Sequence, residues 1–173
     1  MRIGVLTSGG DCPGLNAVIR ALVRKTEKVH GGTVIGFRDA WRGVLEDDFE
    51  VLDIERCRGI LPRGGTILGT SRIQPYQFED GVSRVADAMR RHSLDGFIVI
   101  GGDGSLSAAR DLMADGIACI GVPKTIDNDI SATEMTFGFD TAVHVATSAI
   151  DRLHTTAEAH DRVMVVSHGQ KHG

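Results

Sequence analysis

Three short segments of the sequence combine glycines with carboxylate or lysine side chains, a combination suited to binding phosphate groups. They are residues 7–14 (TSGGDCPG), 101–105 (GGDGS) and 123–129 (PKTIDND). Glycines let the backbone approach a phosphate closely, and a helix N-terminus adds free N–H groups and a positive dipole end. The first segment matches neither GxxxxGK[ST] nor GxGxxG. The sequence therefore predicts a phosphate site of a different type, unless these are tight turns without a ligand.

The second and third segments also carry groups for metal binding and proton transfer. Asp103 stands among glycines, where a carboxylate can hold Mg²⁺ beside phosphates. The alternative is that Asp103 caps the following helix, with Ser105 in its first turn. Asp127 and Asp129 offer carboxylates that can take a proton from a hydroxyl acceptor, and Lys124 adds a positive charge. The alternative there is a turn whose Asp and Asn side chains bond to the backbone.

The elements that must position these segments alternate between strand and helix. Short apolar or β-branched runs predict strands at 2–7, 33–37, 50–52, 96–100, 117–122 and 162–166. Helices are predicted at 14–30, 77–92, from the GGDGS segment to 114, and 141–158. This order indicates an α/β fold with an open parallel sheet and helices on both faces. Because the carboxyl ends of parallel strands meet at one edge, the three segments are expected to form a shared site.

Composition limits the function classes. The 173 residues are 42% hydrophobic and 24% charged, as in an ordinary soluble domain, and the net charge of -4 speaks against nucleic-acid binding. No apolar stretch approaches the roughly 20 residues that span a bilayer, and no signal peptide is recognisable. Cys12, Cys57 and Cys119 form no CxxC pair, so neither a disulfide framework nor a zinc site is predicted. We expect a cytoplasmic protein that binds neither membrane nor nucleic acid.

Several motifs together closely resemble the N-terminal half of the 6-phosphofructokinases, in the bacterial ATP-dependent or mixed ATP/pyrophosphate subgroup. They are LTSGGDCPGLNAVIRALVR, GGTILGTSR, IGGDGSLSAA, VPKTIDNDI and TFGFDTA…AIDRL, spread over residues 1–166. The resemblance implies phosphorylation of fructose 6-phosphate to fructose 1,6-bisphosphate with Mg²⁺ in glycolysis, in a homotetramer under allosteric control. NAD kinases and lipid kinases also contain GGDG, but the PKTIDND and GTSR segments speak against them.

The resemblance also implies roles for individual residues. Contacts with the donor's phosphates would come from Gly10, Arg72, Gly102, Asp103, Gly104 and Ser105, with Asp103 as the Mg²⁺ ligand. Thr125 and Asp127 would meet the sugar, and Asp127 would take the proton from its 1-hydroxyl with Asp129 assisting. Arg162 would reach the sugar phosphate bound by a neighbouring subunit.

The donor is predicted from Gly104 and Lys124. Members of the family that use pyrophosphate typically carry Lys at the position of Lys124 and Asp at the position of Gly104, where the side chain would occupy the space of a nucleotide's α-phosphate. Gly104 leaves that space open, and Gly104 with Lys124 resembles the mixed subgroup, whose members generally use ATP. ATP is therefore the predicted donor and pyrophosphate the alternative. Arg20 and Arg24 match effector-binding positions but are equally explained as a solvated basic face.

The resemblance divides the chain into a nucleotide-binding lobe (residues 1–138), the start of a sugar-phosphate lobe (139–166) and a divergent tail (167–173). In the family, the chain continues after Val166 with a stretch like Glu-Val-Met-Gly-Arg. A frameshift converts codons for that stretch into Ser-His-Gly-Gln, which is the sequence found here. We therefore expect a truncated copy with little kinase activity by itself, or a non-catalytic nucleotide-binding remnant.

Overall fold

The computed structural model describes residues 1–166, so the predicted divergent tail lies outside the described residues. The chain forms two compact units, Met1–Phe139 and Asp140–Gly173. The first unit contains the sheet and four helices, and the second consists, within the described residues, of most of one long helix and the segment that follows it.

The first unit is built on a six-stranded mixed sheet. Its strands are β1 (Arg2–Thr7), β2 (Thr33–Phe37), β3 (Phe49–Leu52), β4 (Gly96–Gly101), β5 (Cys119–Thr125) and β6 (Phe137–Gly138). They lie in the order β3-β2-β1-β4-β5-β6, and every neighbouring pair is parallel except β2 and β3. Residues 38–48 connect β2 to β3, which returns antiparallel to it.

The helices are α1 (Leu15–His30), α2 (Trp41–Glu46), α3 (Gly81–Arg91), α4 (Asp103–Ala114) and α5 (Phe139–Ala159). In helix α1 the sequence pattern that favours a helix with one buried face is clear. Leu15, Ile19 and Val23 recur every four residues, and all three are buried. Left-handed glycines bound this helix, Gly14 with φ 93° and Gly31 with φ 57°. Among the described residues, none of the helices is both long and apolar enough to cross a membrane.

Hydrophobic cores cover both faces of the sheet, as predicted for this fold class. Successive strand residues point to opposite faces, so Leu6 and Val5 belong to different core clusters. The Leu6 cluster is closed by side chains of α2, α3 and α4, whereas the Val5 cluster packs against α1 and the long loop between β3 and α3.

Two of the differences between predicted and observed bounds affect the segments around the predicted site. Helix α3 begins at Gly81 rather than at residue 77, because Pro75–Gln77 forms a separate 3₁₀ turn and Phe78 is extended. Strand β5 continues to Thr125, and its end pairs with β6 through Lys124 and Phe137. The third segment therefore begins on a strand and not in a loop.

The strand predicted at residues 162–166 is wrong. These residues have no regular secondary structure, and the Arg162 N–H donates to the Ala157 carbonyl at 2.9 Å, closing the end of α5. Val163 and Val165 are 92% and 88% exposed. Their β-branched side chains favour extended backbone, but a strand also needs a neighbour, and the second unit has none among its described residues.

Candidate active site

A cleft of about 430 Å³ lies where β1, β4 and β5 end, the edge at which the three segments were expected to meet. Its lining comprises Ser8, Gly9, Gly10, Asp11, Cys12, Arg72, Gln74, Gly102, Asp103, Gly104, Ser105, Lys124, Thr125, Ile126 and Asp127. The structure thus brings together every residue proposed for the donor, and Thr125 and Asp127 from those proposed for the sugar.

The three segments converge on Gly9. Its backbone has φ 89°, a left-handed conformation that favours glycine, and its N–H donates to the Ser71 carbonyl at 3.0 Å. A Cβ on Gly9 would lie 3.6 Å from Ser105 Oγ and 3.7 Å from Lys124 Nζ. A side chain here would therefore be strained by the backbone conformation, and its Cβ would be in van der Waals contact with both neighbouring segments.

The second segment forms the start of α4. Gly102, not Asp103, is the N-cap residue, so Asp103 lies within the first turn. Within residues 1–166, the exposed Asp103 carboxylate makes neither an ion pair nor a hydrogen bond. The capping explanation of Asp103 therefore does not apply, and the carboxylate and the free N–H groups of the helix N-terminus are available to a ligand.

Lys124 places a buried positive charge in the cleft. It is 4% exposed, and its ammonium group donates to the Gly10 carbonyl. Burial lowers the pKa of Lys124, an effect opposed by the charges of Cys12 and Asp11. In the part of the chain that the structure describes, Lys124 forms no ion pair within 4.0 Å. Because a buried charge is costly without a counter-charge, this ammonium group favours an anionic ligand.

The third segment turns through Asn128 and leaves Asp127 free. Asn128 has φ 52°, accepts a hydrogen bond from the Thr136 N–H at 2.9 Å and donates to the Glu134 carbonyl at 3.3 Å. The Asp127 N–H donates to Thr125 Oγ1 at 3.1 Å, while its exposed carboxylate lines the cleft. Asp129 does not line the cleft. Side-chain bonds therefore do shape this turn, but they come from Asn128, and the Asp127 carboxylate remains available for chemistry.

Arg72 follows a segment that is tied to the first loop. Thr7 Oγ1 donates to the Gly69 carbonyl at 2.6 Å, and Thr70 Oγ1 donates to the Gly9 carbonyl at 2.6 Å. Ser71 Oγ donates to the Asp39 carbonyl at 2.7 Å. These bonds fix the backbone that leads to Arg72, whose exposed side chain then lines the cleft.

Asn16, which was not predicted from the sequence as a site residue, forms hydrogen bonds with residues 63–67, just before the segment that leads to Arg72. Its buried amide donates to the carbonyls of Arg63 and Gly65, at 3.1 and 2.6 Å, and accepts from the Ile67 N–H at 2.9 Å. Asp11 accepts from the Thr66 N–H at 3.2 Å nearby. Asn16 stands one residue inside α1, but its partners are about fifty residues away, so no local pattern identifies them.

Sequence reasoning also missed Gln74 and Cys12 as cleft residues. Gln74 Nε2 donates to the Gly104 carbonyl at 3.2 Å, across 30 positions of sequence. Cys12 is buried, and this burial raises the pKa of its thiol despite the opposing charge of Lys124. Cys12, Cys57 and Cys119 are all free and buried.

Metal binding in this cleft would require the phosphates of a bound molecule in addition to protein side chains. Among the described residues, no group of three or more His, Cys, Asp or Glu side chains could hold a metal ion. Mg²⁺ is commonly held by one or two carboxylates together with phosphates and water, and the unpaired Asp103 fits that donor set. Arg162 belongs to the second unit, in the segment after α5, and its role stays a prediction.

Comparisons with known proteins agree on one family. A family model described as phosphofructokinase matches residues 2–173. The chain is 60% identical over 166 residues to ATP-dependent 6-phosphofructokinase 3 of Streptomyces coelicolor, and 59% identical over 167 residues to a pyrophosphate–fructose 6-phosphate 1-phosphotransferase of that organism. Each alignment covers 96% of this chain and 49% of the relative, so the chain spans about half the length of these curated relatives.

The solved structure of phosphofructokinase from Saccharomyces cerevisiae superposes with a TM-score of 0.79 at 32% identity. The match covers 92% of this chain and 24% of that chain. The likeness therefore extends to the three-dimensional arrangement of the cleft-bearing sheet.

Proposed function

Because this chain belongs to the phosphofructokinase family, we propose that its cleft binds the phosphates of ATP. The terminal phosphoryl group would then be transferred to the 1-hydroxyl of fructose 6-phosphate. The product would be fructose 1,6-bisphosphate, a step of glycolysis. The observation that carries this proposal is the buried ammonium group of Lys124, which has no ion-pair partner among the described residues and lies beside the glycine loop. Phosphate supplies the missing negative charge.

The chemistry proposed for the residues comes from the family resemblance, and their positions in the cleft support it. The sugar's 1-hydroxyl oxygen forms a bond to the terminal phosphorus while the bond from that phosphorus to the bridging oxygen breaks. The Asp127 carboxylate, exposed in the cleft, accepts the hydroxyl proton, and Thr125 orients the sugar. Arg72 and the N–H groups of Gly10 and Gly102 stabilise the charge that develops on the phosphoryl oxygens. Mg²⁺, held by Asp103, would neutralise charge on the donor's phosphates.

Pyrophosphate is the second candidate donor, favoured by the relative of nearly equal identity that bears its name. Gly104 supports ATP. Within residues 1–166, a Cβ there would meet only Gln74 Nε2, at 3.6 Å, so the space over Gly104 is open to a further phosphate. A Gly104→Asp substitution would place a carboxylate in that space. We expect it to weaken ATP binding at least tenfold and to spare pyrophosphate binding, as measured by calorimetry.

The sugar side of the site and the assembly are proposed from the family. Arg162 would contact the sugar phosphate held by a neighbouring subunit, so that a homotetramer completes each site. Small phosphorylated molecules are the proposed partners, and the cytoplasm is the proposed location. Three free, buried cysteines support a reducing compartment.

The test combines binding with turnover on the purified chain. Calorimetry with ATP and with pyrophosphate, each with Mg²⁺, measures donor binding, and formation of fructose 1,6-bisphosphate measures transfer. Asp127→Asn is expected to keep donor affinity within about twofold and to lower any transfer by about 10²–10⁴-fold. Donor binding without transfer would identify a nucleotide-binding chain that is not a catalyst. Absence of binding to either donor would contradict the proposal.

A further inference from the structure

Gln74 lies at the edge of the cleft, outside the three glycine-bearing segments. Its Nε2 donates to the Gly104 carbonyl at 3.2 Å, in the first turn of α4. A primary amide carries two N–H donors. The Gly104 carbonyl is the one acceptor that Nε2 has among the described residues, so the second N–H is available to a bound molecule.

The backbone of Gln74 is held firmly from the following turn. The Gln74 N–H donates to Gln77 Oε1 at 3.1 Å, and the Phe78 N–H donates to the carbonyl of the buried Pro75 at 3.0 Å. A Cβ on Gly81 would clash with the Pro75 carbonyl oxygen, which shows how closely the turn packs against the start of α3. This turn fixes the backbone, and the hydrogen bond to the Gly104 carbonyl orients the side-chain amide, which reduces the conformational entropy lost when it binds a ligand.

The amide also borders the volume that Gly104 leaves open. A Cβ built on Gly104 would lie 3.6 Å from Gln74 Nε2 and would meet no other atom of residues 1–166 within 4 Å. A group that lies where this Cβ would be is therefore in contact range of the Gln74 amide. Because the free N–H is a donor, this contact favours an anionic oxygen.

We propose that Gln74 is a donor-specificity residue, whose amide donates to the phosphate of a nucleotide that lies over Gly104. This inference rests on the proposed function. Pyrophosphate has two phosphoryl groups, and we assign the reacting one to the cleft beside Asp127 and the other to the ammonium group of Lys124. With its two groups so assigned, pyrophosphate has no third group to lie over Gly104, and the Gln74 hydrogen bond would strengthen binding of a nucleoside triphosphate and not of pyrophosphate.

The experiment measures binding of ATP and of pyrophosphate, each with Mg²⁺, to the full chain by calorimetry. Gln74→Ala is expected to weaken ATP binding about tenfold, the effect of one hydrogen bond to a charged group, and to change pyrophosphate binding less than about twofold. Gln74→Glu keeps the size of the side chain but removes both donors and adds a negative charge. Its loss of ATP affinity should be larger than that of Gln74→Ala.

Tyr76→Phe is the matched control. Tyr76 donates from its hydroxyl to Asp115 Oδ2 at 2.8 Å, so it ties the same turn to the other end of α4 without lining the cleft. It should leave both affinities within about twofold, and thermal melting checks that each variant is folded.

Three results would overturn the proposal. Equal losses for ATP and pyrophosphate in Gln74→Ala would show that the residue only holds the loop in place. A loss of ATP affinity in Tyr76→Phe would assign the effect to a loosened turn. Unchanged ATP binding in Gln74→Ala would refute the inference alone, whereas a wild-type chain that binds neither donor would remove the proposed function with it.

Discussion

Replacing Lys124 by Met tests whether its buried charge serves the ligand or the fold. The substitution keeps most of the side-chain volume and removes a charge that is 4% exposed and forms no ion pair with the described residues. The Gly10 carbonyl loses its hydrogen bond, but Gly10 is exposed and its carbonyl can be solvated. Because desolvating an ammonium group costs free energy, we expect the free energy of unfolding to rise by about 1 kcal/mol at pH 7.

Ligand affinity should change in the opposite direction. Two unit charges 4 Å apart attract by about 4 kcal/mol at an effective dielectric constant of 20, and desolvation of the phosphate offsets part of this. Hydrogen bonds to charged groups contribute about 1.5–3 kcal/mol net, so Lys124→Met should weaken binding of ATP and of pyrophosphate by about 10- to 100-fold.

The pH dependence of stability provides a second readout. Burial lowers the pKa of Lys124 from its ordinary value of 10.5. Between the lowered pKa and 10.5, the unfolded chain holds a proton that the folded protein has released, so this group makes the free energy of unfolding rise with pH. Lys124→Met lacks that contribution. The stability difference between variant and wild type should therefore be largest at neutral pH and should shrink as the pH approaches 10.5.

Urea denaturation followed by circular dichroism at a series of pH values, together with calorimetry for both donors, measures these quantities. Lys28→Met, at an exposed position on α1, is the control and should change neither stability nor affinity appreciably. If Lys124→Met lowered the free energy of unfolding by more than about 1 kcal/mol while donor binding stayed unchanged, the ammonium group would serve the loop and the reasoning would be refuted.

Two further predictions concern the support of the site and the surface of the sheet. Asn16→Ala removes three hydrogen bonds of a buried amide and should lower the free energy of unfolding by about 2–4 kcal/mol in urea denaturation. The control, Ser83→Ala at an exposed position, should lower it by less than about 0.5 kcal/mol. Equal losses in the two variants would contradict the role assigned to Asn16. Ile120 and Phe137, 63% and 47% exposed, border an apolar groove between α1 and the sheet, so the chain should bind anilinonaphthalene sulfonate and self-associate. Ile120→Glu should reduce both dye fluorescence and the sedimentation of oligomers, and an unchanged dye signal would argue against that surface.

Local sequence patterns were sufficient to predict most strands of the sheet. The bounds predicted for β1 and β2, residues 2–7 and 33–37, are those of the structure, and α1 begins one residue later than predicted. Apolar runs that end in glycine, and a four-residue apolar spacing within α1, are properties of adjacent residues. The order of strands and helices then placed the three segments at one edge of the sheet, because parallel strands share a direction.

Features that depend on distant partners could not be predicted in this way. The antiparallel pairing of β3 with β2 is decided by contacts between the two strands, and the absence of a strand at residues 162–166 follows from the lack of a neighbour among the described residues of the second unit. The valines there favour extended backbone in any context. A strand requires both this local preference and a partner, and only the first can be recognised in a short stretch of sequence.

The chemical roles available to the glycines, carboxylates and lysine of the cleft could be predicted from the sequence alone, because these roles depend on residue type. Tertiary structure decided their surroundings. It buried Lys124 at the end of β5, left Asp103 without a partner among the described residues, and brought Gln74 to within 3.2 Å of the Gly104 carbonyl. Burial, charge compensation and hydrogen bonding depend on atoms contributed by segments far apart in the chain, and these segments meet only when the sheet and its helices have packed.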